Sequence, residues 1–319
     1  NLTDVEAAAD RIRPFVHRTP IFTSATLDRE VGASVFFKAE NLQKVGAFKA
    51  RGATNAVLQL PAGTTGVVTH SSGNHGQAVA YAASIRELPA WVVMPRTAPE
   101  LKMDAVRSYG AEIVLCDHAE REATAADVVE RTGAVLVHPF DNPAVIAGQG
   151  TATLELIDQV PELDVVVAPI GGGGLLSGAA TVAGGREPQI TVVGAEPFAV
   201  DDSYRSLRSG VRQPGVESPV TVADGLLTGI GARAFTILMA HGVDVVRVTE
   251  AAILEAASFM LLRMKLVVEP SGAASLAAIR TEPERFLNRR VGVIISGGNT
   301  DFSWLPAATA LTSPRGTSP

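Results

Sequence analysis

A chain of 319 residues that is 46% hydrophobic and 19% charged can bury one large core or two ordinary ones, which excludes a disordered or fibrous protein. A formal net charge of -6 with no basic run excludes a nucleic-acid binder that works by neutralising phosphates. The single cysteine, Cys116, can form neither an internal disulfide nor a zinc site alone, so a buried structural thiol in a reducing, cytoplasmic setting is expected.

The opening Thr3-Asp4-Val5-Glu6 has the Thr-x-x-Glu spacing of a capping box, which predicts a helix from about Asp4 to Arg13, stopped before Pro14. Its acidic start carries no targeting signal, and the apolar runs are too short to span a bilayer, so no membrane partner is expected. An extended stretch, His17 to Phe22, leads to a strand at Ser34–Ala39. Then come short β-branched runs spaced by helix-length segments, starting at Gly66, Ala90, Glu112, Ala134, Val165, Ile190, Val243 and Val291. Near-continuous apolar strands alternating with helices predict an α/β fold of parallel sheets covered on both faces. There are too many strands for one small sheet. We therefore expect two open, mostly parallel sheets with flanking helices. Residues 55–144 would form a small lobe inserted into a larger one made of residues 1–54 and 145–319. The tail from Thr312 to Pro319 reads as disordered.

Lys49 sits in Gly46-Ala47-Phe48-Lys49-Ala50-Arg51-Gly52-Ala53, just before a helical-looking run. A lysine drawn into an apolar pocket loses hydration of its charged form, so its pKa falls and the free amine can attack an aldehyde or move a proton. Alone, it would read as a solvated lysine at a helix start. Three loops at strand ends change that, because ligands of parallel α/β sheets bind beyond the carboxyl ends of strands. The first is His70-Ser71-Ser72-Gly73-Asn74-His75-Gly76, whose small polar residues open a helix and leave backbone N–H groups for a carboxylate or phosphate. An ordinary polar cap is its plainer meaning.

The second is Gly171-Gly172-Gly173-Gly174-Leu175, after a buried strand, where four glycines let the backbone wrap an anion. No Gly-Lys-Ser/Thr follows, so it is not a nucleoside-triphosphate loop. Counted from Gly172, Ser177 breaks the G-x-G-x-x-G pattern of dinucleotide sites. Glu196 does lie about 20 residues on, as a ribose-binding acid would, which keeps a nicotinamide enzyme as a rival. A monophosphate suits the turn better. The third loop is Ser296-Gly297-Gly298-Asn299, where a serine hydroxyl can meet a heterocyclic nitrogen and the glycines admit a flat ring.

Taken in this order, the four segments resemble the fold-type II pyridoxal-phosphate enzymes (the tryptophan synthase β-like fold), and within them the serine/threonine dehydratase and serine racemase branch. Val145-Ile146-Ala147-Gly148-Gln149-Gly150-Thr151 resembles that branch as well. The resemblance implies pyridoxal 5'-phosphate held by Lys49 as a Schiff base, with Phe48 near the ring and Asn74 bonded to its 3-hydroxyl. Gly171, Gly172, Gly173, Gly174 and Leu175 would cradle the phosphate, Ser296 would face the pyridine nitrogen, and Glu269 would lie near the ring. A neutral partner such as Ser296 weakens the electron sink and favours β-elimination. Ser71, Ser72, Asn74 and His75 would line the site of an amino-acid substrate's carboxylate.

The same resemblance makes Lys49 the general base at the α-carbon. The β-hydroxyl then leaves with a proton from the cofactor phosphate, and the product hydrolyses to a 2-oxo acid and ammonia. Ser72 matches the position of the opposite-face acid/base in racemases, so racemisation is an alternative. Glu196, Asp202 and the Val200 carbonyl resemble the branch's divalent-cation site, with hard oxygen ligands suited to Mg²⁺ or Ca²⁺; a solvated acidic loop is the other reading. A homodimer is also implied. Val45 and Ala47 depart from the hydroxyl residues common in threonine and serine enzymes, and the Gly-Ala-Phe-Lys form resembles the 3-hydroxyaspartate dehydratases. The short stretch after Ser296 leaves no room for a regulatory domain, so feedback control by isoleucine is not expected. Outside catalysis, an amino-acid-binding protein on the same scaffold is the competing class, and an intact Lys49 argues against it.

Overall fold

The computed structural model describes residues 1–306 apart from Ser72 and Pro99, so Ser72 and the tail from Thr312 lie outside the described residues. Helix α1 (Leu2–Ile12) starts at Asn1, not at Thr3. The Asn1 side chain accepts from the Asp4 N–H, and the Asp4 side chain reaches back to the cap. The expected capping box exists two residues earlier, built from an asparagine and an aspartate.

The strands follow the apolar runs to within a residue or two at most ends. They are β1 (Ile21–Phe22), β2 (Ser34–Ala39), β3 (Val67–His70), β4 (Ala90–Pro95), β5 (Glu112–Cys116), β6 (Val135–Leu136), β7 (Val165–Pro169), β8 (Thr191–Pro197), β9 (Asp244–Val248) and β10 (Arg290–Ile295). Two sheets result. One has the order β1-β2-β10-β7-β8-β9 and is parallel except for β1, which the extended stretch before Ser34 adds as an antiparallel edge. The other, β5-β4-β3-β6, is parallel throughout and uses only residues between Val67 and Cys116 plus Val135–Leu136.

The helices after α1 are α2 (Ala25–Val31), α3 (Lys49–Leu58), α4 (Asn74–Ile85), α5 (Glu100–Ser108), α6 (Arg121–Thr132), α7 (Pro143–Gln159), α8 (Gly174–Ala183), α9 (Asp202–Ser209), α10 (Ala232–Ala240), α11 (Glu250–Phe259) and α12 (Pro270–Thr281). Strand alternation explains why both sheet faces are covered. Val165, Val167, Val193 and Val291 pack with α11 and α12 on one side, while Val166, Ala168, Val192 and Ile294 pack with α8 and α10 on the other. The smaller sheet repeats the pattern, with Val67, Val92 and Met94 against α3 and α4, and Val68, Val93 and Cys116 against α6. Cys116 is a buried free thiol, as its apolar surroundings predict.

Two features fix α3, the helix that Lys49 begins. Gly52 and Gly148 let α3 and α7 meet backbone to backbone: a Cβ on Gly148 would stand 2.6 Å from the Gly52 Cα. Beside them, the fully buried Arg51 forks onto Glu40 (2.7 and 2.8 Å) and onto Glu155 (2.8 and 2.9 Å), and Lys38 joins Glu155 at 2.6 Å. Two carboxylates face two buried cations, so the desolvation of Arg51 is offset by two bidentate pairs and that of Lys38 by Glu155 with two neutral oxygens.

Candidate active site

Lys49 enters the site because two backbone bonds staple its loop to the end of β10. The Phe48 N–H donates to the Ser296 carbonyl at 3.0 Å and the Gly298 N–H to the Gly46 carbonyl at 2.9 Å, with Ala47 and Gly297 bridged between them. Gly46 has φ +67°, and a side chain there would strike Asn299. Lys49 borders a cavity, yet its amine is enclosed by protein and donates to the Pro139 carbonyl at 2.7 Å. Burial lowers its pKa to about 8, and the Glu269 charge opposes the fall.

The cavity also contacts Phe48, Asn74, Phe140, Gly171, Gly172, Gly173, Gly174, Leu175, Glu269 and Ser296, so segments far apart in sequence converge as the strand-end argument predicts. Gly173 turns the chain at φ +87° into α8, whose first turn has no side-chain cap. Its leading N–H groups are therefore open to an anion. Gly172 packs flat on the Phe140 ring, which a Cβ would overlap at 2.3 Å. Ser296 is buried and also lines the cavity.

Asn74, the first residue of α4, donates through Nδ2 to both Glu269 oxygens at 2.9 and 3.1 Å and accepts from Asn299 at 2.8 Å. Burial, with the Asp224 charge adding to it, raises the Glu269 carboxyl to about 7. His75 turns away into the core. Its Nε2 lies 3.1 Å from the Val137 carbonyl, which makes that nitrogen the protonated one, and its buried Nδ1 has no partner. Desolvation, reinforced by the Lys49 charge, keeps the ring neutral. The Ser71 hydroxyl accepts from the Gly73 N–H at 3.3 Å, shaping the turn before α4.

A family model described as "Pyridoxal-phosphate dependent enzyme" matches residues 12–297. The chain belongs to this family of pyridoxal-phosphate-dependent enzymes. It is similar to the β-hydroxyaspartate dehydratase of Paracoccus denitrificans (strain Pd 1222), 47% identical over 95% of this chain and 97% of that one. It is also similar to the serine racemase of Dictyostelium discoideum, 46% identical over 95% of each chain. Among solved structures, a T.th. threonine deaminase superposes with a TM-score of 0.91, at 46% identity over 95% of this chain and 99% of that chain. The fold is thus that of the fold-type II enzymes of the family. The cavity suits the cofactor on its own chemistry: a desolvated amine, an uncapped helix start behind a glycine turn for a phosphate, and a buried serine in the lining.

Sequence reasoning missed Phe140, Thr228, Ser271 and the Asp224–Leu226 turn, all of which border the cavity or its rim. Only the Asp-Gly pair at Asp224-Gly225 carried a local signal, that of a turn. Glu196, Val200 and Asp202 form a separate cluster where β8 runs into α9. The Glu196 oxygens accept from the Ser203 and Tyr204 N–H groups at 3.0 and 2.8 Å, and Asp202 accepts from the Ile230 N–H at 2.8 Å. Desolvation, and to a lesser degree the Asp202 charge, raises Glu196 to about 8; desolvation also raises Asp202. Among the described residues no three His, Cys, Asp or Glu side chains converge in metal-ligand geometry. A cation here would therefore need carbonyl or water oxygens beside the two carboxylates, which suits a hard ion.

Proposed function

We propose that this enzyme dehydrates a β-hydroxy amino acid, such as L-serine, L-threonine or 3-hydroxyaspartate, to a 2-oxo acid and ammonia. The observation that carries this reading is the neutral Ser296 hydroxyl in the wall of the cavity that encloses the Lys49 amine. When bound, pyridoxal 5'-phosphate would supply the electron sink, and an uncharged partner for its ring nitrogen limits that sink, which favours expelling a β-substituent over sustaining a carbanion. Lys49 would anchor the cofactor and then act as general base at the substrate α-carbon. With a pKa of about 8, a minor fraction of its amine is free at neutral pH, far more than in an ordinary lysine, and that fraction can act as the base. The N–H groups from Gly171 to Leu175 would hold the phosphate, Phe48 would flank the ring and Asn74 would bond its hydroxyl. Ser71, Ser72, Asn74 and the backbone of His75, whose ring is turned into the core, would receive the substrate carboxylate.

Glu269, with a pKa of about 7, would sit beside the ring as a protonatable group. Glu196, Asp202 and the Val200 carbonyl would hold a divalent cation such as Mg²⁺. We place the boundaries of the inserted small domain at residues 55 and 144, and we expect a cytoplasmic homodimer. Among the described residues no helix is long and apolar enough to cross a membrane.

A serine racemase is the second reading, favoured by the 46% identity to the D. discoideum enzyme and by Ser72 in the substrate loop. Incubating the cofactor-loaded protein with each of the three amino acids, with and without Mg²⁺, and assaying both 2-oxo acid and enantiomer, separates the two. Oxo acid with little enantiomer is expected. Abundant enantiomer that Ser72→Ala abolishes would move the racemase to first place. Lys49→Ala should remove both activities and the cofactor's covalent absorbance.

A further inference from the structure

A single arginine on the neighbouring strand grips the loop that carries the proposed cation ligands. Arg247 on β9 stands in register with Glu196 on β8, but its guanidinium is engaged elsewhere. It donates to Asp201 Oδ2 at 2.9 Å, and it lies 4.4 Å from the Phe198 ring centre and 4.0 Å from that of Tyr204. These three contacts flank the ligand set. Phe198 and Asp201 bracket Val200, Asp201 precedes Asp202, and Tyr204 supplies the N–H that holds Glu196. Asp201 also accepts from Arg205 at 2.9 Å, so two guanidinium groups neutralise it. Glu196 and Asp202 accept from backbone N–H groups, and among the described residues neither is in a salt bridge, which leaves their carboxylates to be neutralised by a bound ion.

We propose that Arg247 is the positioning residue of the cation site. It fixes the segment from Phe198 to Tyr204 so that both carboxylates and the Val200 carbonyl face one divalent cation. The inference rests on the cation reading given above. A planar, always charged fork suits the task, because it can stack on rings and bond a carboxylate at once, which an ammonium cannot. The half-exposed Phe198 ring is otherwise a poor choice at a surface turn, and its place over Arg247 accounts for it.

The test titrates Ca²⁺ into the cofactor-loaded protein and follows binding by calorimetry and by the rise in thermal transition. Arg247→Leu is expected to weaken binding by roughly tenfold or more, as loss of an outer-shell partner does at other metal sites. Arg247→Lys should weaken it less, and Phe198→Ala should weaken it without changing any charge, so the proposal stays testable if the leucine variant misfolds. Unchanged Ca²⁺ affinity in Arg247→Leu overturns the clamp. The double variant Glu196→Gln/Asp202→Asn separates the two claims. If it loses Ca²⁺ while Arg247→Leu keeps it, only the clamp fails; if it still binds Ca²⁺ as wild type does, the cation site falls and the clamp with it.

Discussion

Burial raises the Glu269 carboxyl to about 7, the Asp224 charge adds to the rise, and the Asn74 amide opposes it. Burial lowers the Lys49 amine to about 8 against the pull of Glu269. The two shifts act on stability in opposite senses. The folded chain holds a proton on Glu269 that the unfolded chain releases near its ordinary 4.5, so this stabilisation is complete below pH 4.5 and is lost as the pH rises through 7. Lys49 contributes fully above 10.5 and less as the pH falls through 8. In cofactor-free protein, Glu269→Gln should flatten the fall in thermal transition between about pH 4.5 and 7. It should also let an amine-directed reagent modify Lys49 at lower pH, because the carboxylate that raises the amine's pKa is gone. A pH profile superimposable on that of the wild type would show that Glu269 is not the buried acid. That Lys49, the four glycines and Ser296 meet at one cavity was legible, because each sits in a short motif at a strand end. The partners that set Glu269, namely Asn74, Asp224 and Lys102, come from two helices and a turn far away in sequence, and no local pattern announces them.

At the scale of elements, α3 and α7 approach so closely that the glycine at their crossing is a packing requirement. A methyl group on Gly148 would meet the Gly52 Cα at 2.6 Å and the Arg51 carbonyl at 2.7 Å, both backbone atoms that cannot swing aside. Gly148→Ala gains about 1 kcal/mol of helix propensity. Separating the helices costs more, about 1–3 kcal/mol for overpacking of this kind, before any loss of the Gly52 N–H bond to Gln149. A lower urea midpoint and weaker cofactor binding are expected together, since Lys49 opens α3; a variant as stable as the wild type would show that the crossing can relax. Strand existence was readable because buried parallel strands are apolar along their length. Strand order was not: nothing local says that β10 returns between β2 and β7, or that β6 lies beside β3. Arg51 reads in sequence as one more charge on a helix, and only the fold reveals the two carboxylates that offset its burial. The helix start went astray for a simpler reason: Asn1 caps as well as threonine and lies closer to the first apolar turn.

Over the whole molecule, the cavity lies where the two sheets' strand ends face each other, and its rim is crossed by one ion pair. Lys102 on α5, beside the four-stranded sheet, meets Asp224 at 2.5 Å, in the turn below which Gly225 and Leu226 border the cavity. The Gly225 N–H donates to Ser271 at 2.9 Å, so the turn is itself tied to α12, and the pair links the small sheet's helices to the cofactor wall. Lys102 is about one-fifth exposed and Asp224 about half, so solvent screens the pair and its contribution is modest, about 0.2–1 kcal/mol. If the pair holds the two halves together over bound substrate, Lys102→Met should raise KM by no more than roughly fivefold and leave kcat nearly unchanged. The effect should shrink as salt is added, because exposed charges are screened. The exchanged pair Lys102→Asp/Asp224→Lys should recover most of the loss, since it restores the attraction across the cleft. A drop in kcat that the exchange does not repair would instead place Lys102 among the groups that tune Glu269, whose carboxyl its charge already lowers.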